Sequence, residues 1–359
     1  MTASYNPDYD PDGIEGGIDT NVMPWIEIKQ APGMRFKPLR ASQESGWFSL
    51  IIQIEAGVEL PPMVYLGGGD MMILSGTLTY TKGDLAGTIS PGIWGYIPAN
   101  SRIEGLIVEE TTEFQANFFG PLAFLAEDGR GIESVLTSLD VLAASKTNGL
   151  TLVPNSLAEC MQPRPEPFHG EPEPLAIAGD ENTLVKSSGE LAGGGEFTHP
   201  HWVDTRTIPW IFTVEGMEDM GLKILRVSEE TGIVSLLVLH NGVAGPHYHL
   251  GAADFLILSG HLGFRAGPPE GYGPGVWFYE PAGARHDATQ RVGENEDLIY
   301  TANVYGPVQF DEGRETPITM VLSWMSYKEM ADAAGMKLVS NLFPNDSSLL
   351  AWSPIGNNA

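Results

Sequence analysis

The sequence predicts an all-β protein built as two tandem sandwich or barrel domains with short flanking helices. Three observations carry that prediction. The chain repeats itself once, its strands are short and punctuated by glycine and proline, and 359 residues are enough for two domains.

The repeat comes first. MPWI at Met23–Ile26 recurs as IPWI at Ile208–Ile211, and FKPLR at Phe36–Arg40 recurs as LKILR at Leu222–Arg226. DMMILSG (Asp70–Gly76) matches DFLILSG (Asp254–Gly260), PGIWGYIPA (Pro91–Ala99) matches PGVWFYEPA (Pro274–Ala282), and ANFFGP matches ANVYGP. The offset stays between 183 and 186 residues throughout. Within each copy, runs such as SLIIQIEAG and SLLVLHNG are β-rich and end in turn signals. Each copy closes with a helix, one beginning at Ser138 and ending at Asn148-Gly149. The other is predicted to have Ser326 and Glu329 as a capping box and Gly335 as its stop. The expected organisation is a first domain over 1–149, a Pro/Glu/Gly-rich linker over 150–195, a second domain over 196–335 and a tail over 336–359.

Composition narrows the function. The formal net charge of −27 argues against nucleic acid and anionic membranes as partners. Cys160 is the one cysteine, so no intramolecular disulfide forms. The N-terminal MTASYNPDYDPDG lacks the pattern of a secretory leader, and no apolar run approaches 18 residues, so the expected location is cytoplasmic. No dinucleotide fingerprint occurs, so neither a nicotinamide nor a flavin cofactor is expected.

Chemistry concentrates in the second repeat, in GPHYHLGAADFLILSG and PGVWFYEPAGARH. His247 and His249, separated by one residue, share a face of a strand. His286 follows a Pro-Ala-Gly turn, and Asp254 lies five residues past His249. Imidazole and carboxylate donors together suit one divalent metal, Fe(II), Mn, Ni or Zn. Glu280, six residues before His286, could hydrogen-bond a ligand or substrate. Arg265 and Arg285 are candidates to neutralise an anionic substrate oxygen, with salt bridges as the alternative. Tyr248 and Trp277 could contact a substrate or simply pack. His169, His199, His201, His240 and His261 read as linker, surface or packing residues, and Tyr300 as packing.

These motifs resemble those of the cupin superfamily. His247-x-His249 followed after four residues by Asp254 is similar to its first motif, with Asp in place of the usual Glu. Pro274-Gly275, five residues, Pro281-Ala-Gly283, two residues and His286 match its second motif completely. The resemblance implies double-stranded β-helix (jelly-roll) barrels and a metal held by His247, His249 and His286, with Asp254 a possible fourth ligand. The first repeat is degenerate: Met63, Tyr65 and Ile103 stand where the three histidines stand, while Asp70 aligns with Asp254 and Ile97 with Glu280. Its expected role is structural.

The pattern of a leading PWI, a K-x-LR segment, the barrel strands and a trailing GP resembles acetylacetone-cleaving and 2,4′-dihydroxyacetophenone dioxygenase-like cupins. That resemblance implies Fe(II), O2 and cleavage of a C–C bond in a small-molecule carbonyl substrate, a β-diketone or hydroxy-ketone. A non-oxidative isomerase, lyase or hydrolase, a non-catalytic small-molecule or metal sensor, and a storage bicupin stay open beside it, as does a homodimer.

Overall fold

The computed structural model describes residues 17–342 apart from 84, 127–130, 161, 163–170, 178–198, 213–218, 265–266, 287, 295 and 314–315, with only the backbone of His286. The architecture is two antiparallel β-barrels, one from each copy of the repeat. In the second, a six-stranded sheet runs in the order Ile18–Asp19, Val276–Glu280, Ala253–Ser259, Ile299–Val304, Val234–His240, Met220–Val227. Facing it is a four-stranded sheet of Ala284–His286, His247–His249, Val308–Phe310 and Met320–Leu322. The first barrel repeats this plan, with Ile93–Ile97, Gly69–Tyr80, Leu106–Phe118, Phe48–Ile54 and Met34–Ala41 adjacent in one sheet and Ser101–Ile103 beside Met63–Tyr65 in the other.

The outermost strands are exchanged. Ile18–Asp19, at the start of the first copy, pairs with Val276 and Trp277 of the second barrel, whereas Trp202–Asp204, at the start of the second copy, pairs with Ile93–Gly95 of the first. The repeated PWI and K-x-LR motifs explain how each exchanged segment is held. Thr20 Oγ1 donates to the Gly275 carbonyl at 2.6 Å, and Thr205 Oγ1 donates to that of Gly92 at 2.6 Å. Lys37 Nζ donates to the Thr20 carbonyl at 2.9 Å and lies 4.5 Å from the Trp25 ring centre. Lys223 Nζ does the same to Thr205 at 2.6 Å and sits 4.6 Å from Trp210. Capping a carbonyl and lying over an indole face compensates part of what these ammonium groups lose on burial. Desolvation still lowers the pKa of Lys37 to about 8 and that of Lys223 to about 7.

Strand alternation then builds a core inside each barrel and an apolar layer between them. On Phe48–Ile54, residues Phe48, Leu50, Ile52 and Ile54 point into the first barrel, and Ile51 points out to meet the other half. On Ala253–Ser259, Phe255 and Ile257 fill the second barrel, while Leu256 and Leu258 join Ile51, Leu39 and Trp94 in the layer between barrels. These strands are buried on both faces, which is why they read as continuous apolar runs. Arg40 lies 4.0 Å from the ring centre of Tyr279, and its repeat counterpart Arg226 lies 3.7 Å from that of Tyr96. Each half thus lends a cation to an aromatic face of the other.

A ten-residue helix follows each barrel. Ser138–Thr147 begins where expected, with Thr137 as N-cap in a capping box with Asp140, and Gly149 follows its end at φ +68°. The second helix corrects the expectation. It spans Trp324–Ala333 with Ser323 as N-cap, and Ser326 is its third residue, accepting from the Ser323 N–H at 3.2 Å. Of the linker, 171–177 ties across the molecule: the Leu175 N–H donates to Asn21 Oδ1 and the Ala176 N–H to Glu113 Oε2.

Candidate metal centre

The site is built where the two sheets of the second barrel meet. His247–His249 pairs on one side with Ala284–His286, and the register sets His247 opposite His286 and His249 opposite Ala284. The turn entering that partner strand needs a left-handed residue. Gly283 supplies it at φ +85°, and the Ala284 N–H closes the turn on the Pro281 carbonyl at 2.9 Å. In the first barrel Asn100 takes the same role at φ +65°.

His247 and His249 are both buried and have ring centres 5.0 Å apart. His247 Nδ1 is 2.8 Å from the Gly245 carbonyl. A carbonyl only accepts, so Nδ1 carries the hydrogen and Nε2 keeps the lone pair that a metal needs. His249 Nε2 is 2.6 Å from Glu280 Oε2, and that carboxylate is itself buried. The donor set of two imidazoles and one carboxylate, with His286 opposite in register, fits a divalent cation of intermediate softness. Among the described side chains, no cluster of three metal donors is assembled, and that of His286 lies outside them.

These groups open on a cavity of about 150 Å3 inside the barrel. Its wall is mainly apolar, with Phe255, Phe264, Val304 and Phe310 among the residues lining it, and the polar groups His240, Thr289, Tyr300 and Tyr327 join His247, His249 and Glu280. Burial raises the pKa of the Tyr300 hydroxyl, and the nearby charge of Glu280 adds to the effect.

Several expected site residues lie elsewhere, and strand parity is the common reason. Asp254 alternates with the cavity-lining Ala253 and Phe255, so it points out of the barrel. There it accepts from the Tyr305 hydroxyl and, at 3.4 Å, from Asn303 Nδ2. It is not a ligand at this cavity. Tyr248 and Arg285 pair across the strands on the face opposite His247 and His249. The Arg285 guanidinium lies 5.3 Å from the Tyr248 ring centre and makes a buried 2.6 Å ion pair with Asp311. Trp277 is fully buried in the layer between barrels. None of these three lines the cavity. Arg265 lies outside the described residues.

The degenerate positions are apolar core. Met63 pairs with Ile103, and both pack with Tyr65, Ile97 and Phe118 inside the first barrel, where the Tyr65 and Phe118 rings stack at 5.3 Å. Asp70 points outward as Asp254 does and accepts from Asn117 Nδ2 at 2.9 Å.

Two histidines lie where the sequence alone did not place them. His240 is buried and lines the cavity, although it reads as a strand residue that packs or faces solvent. Its spacing from Leu236 and Val238, which also line the cavity, is the signal that could have found it. His201 is fully buried rather than on the surface, and its carbonyl accepts from the Tyr96 N–H at 3.0 Å.

A family model described as the ChrR cupin-like domain matches residues 15–123 and 198–305. The chain belongs to this cupin family. The two matches make it a bicupin, and they fall on the two barrels. A comparison of the bicupin with curated proteins returns no match. Among solved structures it is similar to a candidate acetylacetone dioxygenase of Methylibium petroleiphilum PM1 at 26% identity, over 36% of this chain and 94% of that one, with a TM-score of 0.34. A candidate dioxygenase of Nostoc punctiforme PCC 73102 aligns over 86% of each chain at 12% identity and a TM-score of 0.50. Oxalate decarboxylase of Bacillus subtilis aligns over 83% of this chain and 78% of its own at 15% identity, with a TM-score of 0.45. Among the described residues, no helix is long and apolar enough to cross a membrane.

Proposed function

We propose that the second barrel of this bicupin holds one divalent metal through His247, His249 and His286, with Glu280 as the carboxylate of the site, and that the protein is a mononuclear non-haem Fe(II) oxygenase. Its reaction is the cleavage by O2 of a C–C bond in a β-diketone or hydroxy-ketone. One observation supports this reading: His247, held by the Gly245 carbonyl, His249 and the buried Glu280 carboxylate line one mainly apolar cavity of about 150 Å3. The cation would supply Lewis acidity and a template for substrate oxygens.

The chain's own residues do the rest. The Gly245 carbonyl holds His247 in one tautomer. Glu280, 2.6 Å from His249 Nε2, brings a carboxylate to a wall whose other donors are imidazoles. Phe255, Phe264 and Phe310 line the cavity and limit the water that reaches a bound carbonyl compound. The resemblance of the PWI, K-x-LR and EPAGxxH segments to carbonyl-cleaving cupin dioxygenases supports the substrate class.

The test combines metal analysis of anaerobically purified protein with oxygen-electrode measurements on adding 2,4-pentanedione or 4-hydroxy-2-butanone. Iron near one per chain and substrate-dependent O2 uptake are the expected results. Zinc or nickel with no O2 uptake from either compound overturns the oxygenase in favour of a non-oxidative metal enzyme.

A further inference from the structure

The cavity wall carries a second polar pair beyond the proposed donors. His240 ends the strand Val234–His240, and Tyr300 lies on the neighbouring strand Ile299–Val304. His240 Nδ1 is 3.0 Å from the Tyr300 hydroxyl, and His240 Nε2 is 3.2 Å from the Thr289 carbonyl. For the neutral imidazole those two contacts set the direction of the hydrogen bond. The Thr289 carbonyl only accepts, so Nε2 carries the hydrogen of the neutral ring and Nδ1 presents its lone pair. The Tyr300 hydroxyl therefore donates its one hydrogen to His240. Its oxygen keeps lone pairs, and both residues line the cavity.

Size sets the second condition. A cavity of about 150 Å3 admits a molecule close to benzene in bulk, or about six to eight non-hydrogen atoms. Its aromatic and aliphatic wall favours an apolar body.

We propose that Tyr300, with its hydrogen held by His240, is a specificity-determining acceptor that selects a small ligand bringing a hydroxyl donor of its own. This deepens the proposed function and rests on reading the cavity as the substrate site. A ligand with acceptors only meets an oxygen lone pair at this wall and leaves it unpaired. A hydroxyl-bearing ligand pairs it. Tyr300 is thus a discriminating group for the ligand, and His240 is the positioning residue that decides which way Tyr300 is polarised.

The experiment is calorimetric titration of the Zn(II)-loaded protein, which binds ligand without turning it over. The probes are 4-hydroxy-2-butanone and 2-pentanone, which differ only in a hydroxyl for a methyl. Replacing Tyr300 by Phe leaves a buried ligand hydroxyl without its partner, which lowers the hydroxyl-to-methyl affinity ratio by roughly tenfold to a hundredfold. Zinc content stays unchanged. His240→Phe frees the Tyr300 hydrogen toward the cavity, so the same ratio falls and 2,4-pentanedione, an acceptor ligand, gains affinity. A ratio unchanged in Tyr300→Phe, or 2,4-pentanedione losing affinity in His240→Phe, overturns the proposal. The two readings fail separately. O2 uptake by the Fe(II) protein with no ratio change removes the Tyr300 assignment alone, whereas a ratio change without O2 uptake removes the oxygenase alone.

Discussion

His249 and Tyr248 are neighbours in the chain and serve opposite faces of one strand. His249 reaches Glu280 across the barrel interior, and Tyr248 lies under Arg285 outside it. The same alternation separates Glu280 from Tyr279 and Ala253 from Asp254. The carboxylate that faces the cavity is therefore Glu280, not Asp254. Replacing Glu280 by Gln removes the charge but keeps the shape, and should weaken metal binding about 10- to 100-fold. Asp254→Asn should leave metal content at the wild-type value, and His247→Ala should lose the metal. Elemental analysis after dialysis against a graded chelator checks all three, and metal loss in Asp254→Asn would contradict the parity argument. At the matching positions of the first barrel, Met63, Tyr65 and Ile103 are packed core. Ile103→Ala should cost about 2–5 kcal/mol by urea denaturation with no change in metal content.

At the scale of elements, the exchanged strands carry the most information. Trp202 belongs to the second copy of the repeat, yet its ring stacks on Tyr80 of the first barrel at 5.4 Å and is buried there. A Cβ added to Gly95 would come within 2.6 Å of the Trp202 ring, so the backbone of the strand Ile93–Ile97 is shaped to that indole. Trp202→Ala should therefore destabilise the first barrel, by about 3–5 kcal/mol. Hydrogen exchange resolved by peptide is the suitable measurement. Faster exchange confined to 220–340 would show that the exchanged strand does not support its neighbour. The repeated Lys, Arg and Trp of these segments were visible in the sequence as a recurring pattern. What they do was not visible, because Lys37 and Lys223 act on carbonyls brought to them by the exchange.

At the scale of the molecule, the layer between the barrels encloses an unusual set of charges. Asp70 and Asp254 are buried there near each other and near Arg40 and Arg226. Desolvation pushes Asp254 up to about 7, helped by the like charge of Asp70 and opposed by the Tyr305 hydrogen bond and Arg40. Asp70 is raised to about 6, again chiefly by desolvation. A carboxyl with its folded pKa above the unfolded value holds its proton more tightly in the native state. The native state then binds more protons than the unfolded chain between about pH 4 and 7, so these two groups make stability fall as pH rises through that window. Lys37 and Lys223, with folded values of about 8 and 7, give up their protons sooner in the native state, so from about pH 7 to 10 they make stability rise with pH. Relative to wild type, the double variant Asp70→Asn/Asp254→Asn should lose less thermal stability between pH 5 and 7.5. Calorimetric Tm values across that range test it, and parallel curves would show that these carboxyls do not titrate in the window.

The sequence by itself determined the repeat, the β class, the two motifs that carry His247, His249 and His286, and the absence of imidazoles at the matching positions of the first copy. Each of these is a local pattern: a spacing, a turn residue or a missing side chain. Only the tertiary structure decided which barrel face Asp254, Glu280, His240 and Trp277 occupy. It also decided that the leading strands cross over and that each arginine meets a tyrosine of the other half. The physical reason is that a strand presents two faces that are here both buried, so hydrophobicity no longer distinguishes inside from outside. The choice falls to register and to partners distant in the chain, which no local pattern encodes.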